Sequence, residues 1–284
     1  MPDESLIRNI SDTALWVAEY RARETERGDA VFRDPLARRL AGARGAQIVG
    51  AMPARVNPEW AYVARTVLFD RFVLEEVARG ADVVVNLAAG LDTRPYRLAL
   101  PASLTWIEVD LPDLVAYKEE ALGGERPVCT LERVAFDLSD VAARRTFFTG
   151  VDRRATRTLI LSEGLLIYFT PDDVAALARD LAACPTFQGW VFDIASPGLL
   201  AMLEKQIGDR LRAAGAPFRF APPEGPAFFE AYGWHPASVE SVLKTAARLR
   251  RLPLFLRLIA MLPDEKPPRK RPWSAVCRLA RARA

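Results

Sequence analysis

The sequence predicts an α/β protein built on a doubly wound parallel sheet. Three observations predict it. From residue 82 onward, apolar β-type runs alternate with helix-type patterns. Before residue 82 the chain shows helical patterns and no strand. Where the two regimes meet lies Val83 to Arg97, VVVNLAAGLDTRPYR. Its β-branched run continues through Leu87 and turns at Ala88-Ala89-Gly90, and Asp92 and Thr93 are suited to opening a helix. Small residues let the backbone approach a ligand, and a helix start offers free N–H groups. Open α/β sheets bind ligands at such corners, at the carboxyl ends of their strands.

The elements follow in order. Ile7 to Arg27 is helical in period and ends at Gly28-Asp29; Asp34 and Pro35 restart a helix as N-cap and first helical residue. Gly42, Gly45 and Gly50 mark looser chain, and Pro58 to Arg79 is a long helix. The predicted strands are Asp82–Ala88, Leu104–Val109, Val128–Val134, Thr158–Leu161 and Phe187–Ile194. Helices from Pro112, Asp140 and Pro171 separate them. Leu199 to Ala214 reads as an inserted helix and Ala216 to Pro226 as loop. A short helix from Phe228 to Tyr232 ends at Gly233, a helix covers Ser238 to Arg251, and a last strand begins at Trp273. The expected organisation is a helical cap over residues 1–80 and a sheet core over 81–284, with a lid insertion at about 198–226.

Bulk composition narrows the function classes. The chain has 284 residues, 50% hydrophobic and 26% charged, an ordinary globular balance. No apolar run reaches the roughly 18 residues of a membrane span, and MPDESLIRNISD lacks the plan of a signal peptide. Cys129, Cys184 and Cys277 are odd in number and far apart, and His235 is the single histidine. That pattern suits neither a disulfide framework nor a metal site. A cytoplasmic, metal-free protein without membrane partners is expected. From Lys266 onward there are seven basic and no acidic residues, whereas the preceding chain carries 32 basic against 36 acidic. Prolines interrupt this tail, so it reads as a solvated basic edge strand and not as a nucleic-acid site.

The ligand class follows from charge. GxGxxG and GxxxxGK[ST] loops are both lacking, which removes the phosphate cradles. Asp92, Asp110 and Asp137 stand after three consecutive strands, and Asp110 follows Gly90 by 20 residues. At that spacing a carboxylate can take ribose hydroxyls. A rim of carboxylates repels a pyrophosphate but suits hydroxyls, an amine or a sulfonium. Each of these aspartates alone could simply cap a helix.

Four segments carry a resemblance: Ala22-Arg23-Glu24-Thr25 through Phe32-Arg33-Asp34-Pro35-Leu36-Ala37; Arg65-Thr66; Leu87 through Arg94 (LAAGLDTR); and Glu163 through Tyr168 (EGLLIY). Gly233-Trp234 and Arg271-Pro272-Trp273-Ser274 add to it. In these the chain resembles the leucine carboxyl methyltransferase family, and within it the bacterial small-molecule, tetracenomycin-type O-methyltransferases. The resemblance implies the class I S-adenosylmethionine-dependent fold, with a seven-stranded sheet whose last strand is antiparallel. It implies a cofactor-binding set of Arg65, Ala88, Gly90, Asp92, Asp110, Leu111, Asp137, Leu138 and Glu163. Arg65 would hold the methionine carboxylate, Asp110 the ribose, Asp137 and the Leu138 backbone the adenine edge, and Glu163 would lie near the amine. Ala88-Ala89-Gly90 departs from the Gly-Ala-Gly of many relatives.

The acceptor stays open between a carboxylate and a phenol. A carboxylate needs only a cationic clamp, for which Arg21, Arg23 and Arg94 are candidates, with Tyr168 adding a hydrogen bond. A phenol benefits from a base, and His235 is the single histidine. Trp16, Trp60, Phe218, Phe220, Phe228, Phe229 and Trp234 could line a pocket for an apolar, ring-containing metabolite, polyketide-like in character, or could be core. Three other readings stand beside this one: a protein C-terminal carboxyl methyltransferase, a nicotinamide dehydrogenase, and a catalytically silent cofactor-binding or interaction protein. The oligomeric state, monomer or homodimer, is open.

Overall fold

In the computed structural model, residues 11–51 and 58–281 are described. Three helices come first: α1 (Ser11–Glu26), α2 (Ala37–Gly50) and α3 (Glu59–Ala78). Residues 7–10 of the predicted opening helix lie outside the described residues. The sheet strands are β1 (Val83–Leu87), β2 (Thr105–Asp110), β3 (Thr130–Ala135), β4 (Thr158–Ser162), β5 (Phe187–Ala195), β6 (Trp234–Ser241) and β7 (Ser274–Arg281). Between them run α4 (Arg94–Arg97), α5 (Pro112–Ala121), α6 (Val141–Asp152), α7 (Pro171–Ala182), α8 (Pro197–Ala213), α9 (Val242–Arg248) and α10 (Leu254–Ala260). Two 3₁₀ segments, Leu166–Tyr168 and Gly225–Tyr232, complete the order.

The strand order is β3-β2-β1-β4-β5-β7-β6. β1 to β5 are parallel, and β7 is antiparallel to both β5 and β6. The chain reverses direction across the sheet between β1 and β4, which makes the crevice above them the topological switch point. Alternate β1 residues serve opposite cores. Val83, Val85 and Leu87 face a cluster with Phe148, Leu177 and Trp190, whereas Val84 faces one with Phe69, Phe72 and Leu159. The first cluster is capped by α6 and α7, the second by α3 and α9.

Four local expectations are corrected. The basic last strand is not at an edge: β7 lies between β5 and β6, with Ala275, Val276, Cys277 and Leu279 fully buried. The helix expected from Ser238 begins only at Val242, because Trp234–Ser241 is an edge strand that shifts register between Pro236 and Ser238. A proline is tolerated there because an edge strand spares one side of its hydrogen bonding. Of the glycines at 42, 45 and 50, Gly42 does break the chain, with φ 55° and ψ −168° between two helical pieces of α2, whereas Gly45 lies inside the second piece and Gly50 ends it. The apolar stretch after Pro253 forms α10, a helix the sequence pattern did not reveal. Among the described residues no helix is long and apolar enough to cross a membrane.

The aromatic residues of the expected lid divide. Phe229 and Trp234 are fully buried in the core: Phe229 packs 4.6 Å from Phe192 and 5.1 Å from Trp190, centroid to centroid. The Trp234 indole donates to the Ala178 carbonyl at 3.0 Å. Replacing Phe229 by Ala removes the ring at the centre of this cluster. We expect a loss of roughly 3–5 kcal/mol, read as a lower urea midpoint with an unchanged m-value.

Candidate active site

The β1 strand ends at Leu87, and the backbone then turns through two residues in the left-handed region, Ala88 at φ 52° and Gly90 at φ 51°. Glycine adopts that conformation freely, while alanine there costs about 1 kcal/mol or more. Asp110, the last residue of β2, pins the turn. One of its oxygens accepts the Gly90 N–H at 2.6 Å and the other the Leu111 N–H at 2.8 Å. Burial pushes the Asp110 carboxyl up despite these two donors. Each oxygen keeps a second lone pair for a ligand hydroxyl.

Two arginines tie the neighbouring strand ends together. Arg65 of α3 pairs with Glu163 after β4 (2.9 Å) and with Asp193 in β5 (3.1 Å), and its guanidinium lies 4.9 Å from the Tyr62 ring centroid. Gly164 donates its N–H to the same Asp193. Burial works against the Arg65 cation, but Asp193 and Glu163 outweigh it and raise its pKa. Arg94 binds Asp70 at 2.7 Å, Asp92 at 2.7 Å and Glu163 at 2.9 Å. Asn86 of β1 donates to the other edge of the system, Asp92, at 2.8 Å.

These contacts decide several of the sequence-derived assignments. Arg94 is buried and shared among three carboxylates, and Arg21 is held by Asp34 (2.8 Å) and the Leu91 carbonyl. Both arginines hold the turn after β1 in place. His235 is exposed on β6, outside the cavity, and so is not placed to act as a base there. Tyr168 does line the cavity, its ring tilted against that of Phe218 with centroids 5.6 Å apart. Asp193 was missed. Its signal was present, an acid inside the apolar run FQGWVFDI, but the run reads smoothly through it.

The cavity over the switch point measures about 810 Å³. Its strand-end wall brings together Arg65, Ala88, Gly90, Asp92, Asp110, Leu111, Asp137, Leu138, Glu163 and Asp193. A second, apolar wall comes from α1 (Trp16, Val17), α3 (Trp60), α8 (Leu199, Met202, Leu203) and the following loop (Phe218, Phe220). Ile259 of α10 and the segment Arg271–Ser274 also contribute. Of the five arginines on these walls, Arg21, Arg65, Arg94 and Arg97 are paired with carboxylates. The Arg271 backbone N–H donates to Glu265, but its guanidinium has no carboxylate partner among the described residues.

The charge network sets an acid limit. Burial would raise the Asp92 pKa, but Arg94, Lys118 and the Arg94 N–H pull it down to about 2. Its stabilising effect is complete above the unfolded-state value near 4 and is lost as pH falls through about 2. Stability to urea should fall by on the order of 2 kcal/mol over that interval, and Asp92→Asn should flatten this limb.

Comparison with known proteins agrees with this architecture. The fold is shared with a methyltransferase of provisional assignment from Thermobifida fusca (TM-score 0.59, 16% identity, 100% of this chain and 99% of that one). It is also shared with a DUF574 family protein from Streptomyces avermitilis (TM-score 0.59, 14% identity, 93% and 97%). Both likenesses are of fold, the class I methyltransferase sheet. In sequence, a protein of Mycobacteroides abscessus provisionally named an S-adenosyl-L-methionine-dependent methyltransferase is 36% identical over 187 residues. The match covers 61% of either chain, so the chain spans about three-fifths of that relative's length. A similarly named protein of Mycobacterium sp. (strain KMS) is 32% identical, covering 73% of this chain and 74% of that one. Residues 14–182, which run from α1 through α7 and hold both arginine clamps and the Asp110-pinned turn, match the leucine carboxyl methyltransferase model, and the chain belongs to that family.

Proposed function

We propose that the chain is an S-adenosylmethionine-dependent O-methyltransferase whose acceptor is the carboxylate of a small, apolar, ring-containing molecule. The observation that carries this is the composition of one cavity. It joins a strand-end wall suited to the cofactor, an aromatic wall, and the guanidinium of Arg271, which has no carboxylate partner among the described residues. The relatives' names supply the cofactor, and the family's description names a carboxyl acceptor.

The residues fit that cofactor. The Arg65 guanidinium suits a methionine carboxylate, and Glu163 with Asp193 suits the adjacent ammonium. The spare lone pairs of Asp110 suit ribose hydroxyls, and Asp137 beside Leu138 suits an adenine edge. When bound, S-adenosylmethionine supplies a methyl group on a positive sulfonium. The protein then aligns the acceptor oxygen in line with that methyl and keeps the site dry. In this reading Trp16, Trp60 and Phe218 exclude water, Tyr168 donates a hydrogen bond to the acceptor, and Arg271 orients the carboxylate; that all five line one cavity supports it. An ionised carboxylate releases no proton on methylation. The site therefore needs no base, in keeping with a histidine that lies elsewhere. A phenol would need one.

Titration calorimetry with S-adenosylmethionine, and separately with reduced nicotinamide dinucleotide, tests the cofactor. We expect binding of the first alone; binding of only the second would overturn the assignment. Asp110→Ala should weaken cofactor binding by roughly 10- to 100-fold, and an unchanged Kd would remove the ribose role. With labelled cofactor and a panel of aromatic acids and matching phenols, Arg271→Gln should raise the acceptor KM about tenfold or more while leaving cofactor affinity intact. His235→Ala should stay within about twofold of the parent rate. A large loss in that variant would return the phenol reading.

A further inference from the structure

α10 and the two residues after it, LFLRLIAML, are apolar on every side except Arg257. A helix of that composition is normally buried. Here the inner side is used: Ala260 is buried, and Leu256 and Ile259 line the cavity. The outer side is left open. Leu254 is 78% exposed, Phe255 68%, Leu258 71% and Met261 81%. Positions 254, 255 and 258 recur at helical spacing and so form one continuous face. Contiguous apolar surface of this kind marks an interaction site.

Charge decides the occupant. Between residues 250 and 271 the chain has seven basic residues and two acidic ones. One of those acids, Asp264, is already paired with Lys244, and the other, Glu265, accepts the Arg271 N–H. Lys266 and Lys270 are exposed and have no ion-pair partner among the described residues. A second copy of the chain would bring two such cationic surfaces together. A peptide groove would need a concave wall, whereas this face is convex helix. Apolar side chains flanked by unpaired cations match an anionic bilayer surface, in which a short helix lies flat with its apolar face among the acyl chains.

We infer that α10 is a peripheral docking element for anionic membrane surfaces. It lies on the bilayer and does not cross it. Its inner side forms part of the cavity wall, so docking would set that wall against the lipid and give a lipophilic acceptor a short way in. This last step rests on the proposed activity; the docking does not.

The test is flotation of the full chain with vesicles of phosphatidylcholine alone or with roughly a third phosphatidylserine, at low and high salt. We expect flotation with the anionic vesicles that weakens with salt. The double variant Leu254→Ser/Leu258→Ser should reduce the bound fraction by about tenfold. Lys266→Glu/Lys270→Glu, which leaves the apolar face intact, should do the same and guards against misfolding of the first variant. Absence of flotation with anionic vesicles, or flotation of both variants equal to that of the parent chain, overturns the inference. So does a dimer in sedimentation velocity that the serine variant dissociates without any vesicle binding by the parent chain. Flotation reads no methyl transfer, so its failure would leave the proposed activity standing, and an inactive enzyme that floats would do the reverse.

Discussion

Glu163 is held by two arginines that reach it from different elements, Arg65 on α3 and Arg94 at the start of α4. Much of the site depends on that grip. Charges largely withdrawn from water, as Arg94 is, are tolerable only when met by opposite charges and by hydrogen bonds. The condition is met by drawing in Asp70, Asp92 and Asp193, so that the ends of β4 and β5, the turn after β1 and the side of α3 are fixed to one another. The helical region and the sheet are joined here by ion pairs as well as by apolar contact. The same network leaves the cavity with a rigid, strongly polarised wall before any ligand arrives, which is the preorganisation that binding and catalysis exploit.

The parts legible in the sequence were those with a local anomaly. A carboxylate closing a buried strand, as at Asp110, and a small-residue turn after a β-branched run stand out against their surroundings. The five parallel strands and the helices between them were readable to within a few residues for the same reason: their periods change sharply at proline, glycine and aspartate. Features set by distant partners were not readable. Arg21 and Arg94 look like free cations until Asp34 and Asp70 are brought to them by the fold. β6 carries a proline that argues against a strand, and only its position at the sheet edge makes it tolerable. α10 has no polar face, so its helical period leaves no trace in the pattern of apolar residues.

Division of labour within the aromatic residues also depends on long-range placement. Trp16, Trp60 and Phe218 reach the cavity, whereas Phe229 and Trp234 pack under β5 and β7. Nothing in residue type separates the two groups. What separates them is where the fold carries their segments: Trp16 and Trp60 sit on α1 and α3, Phe218 follows α8, and Phe229 and Trp234 pack beneath β5 and β7. The lining of the cavity is thus assembled from segments that only the fold brings together.

The insertion of β7 between β5 and β6 has a temporal consequence. β6 touches no strand except β7, so during synthesis it has no edge to join until residues some thirty positions further on have emerged. Until then Trp234, destined for the core, and the unpaired flank of β5 stay open to solvent together. Parallel strands β1 to β5 can assemble behind the ribosome, but the sheet closes only in one late step, with a non-local pairing of the slow kind. A ribosome pausing between residues 241 and 274 would hold the nascent chain in its most adhesive form, and chaperone capture would be concentrated in that window.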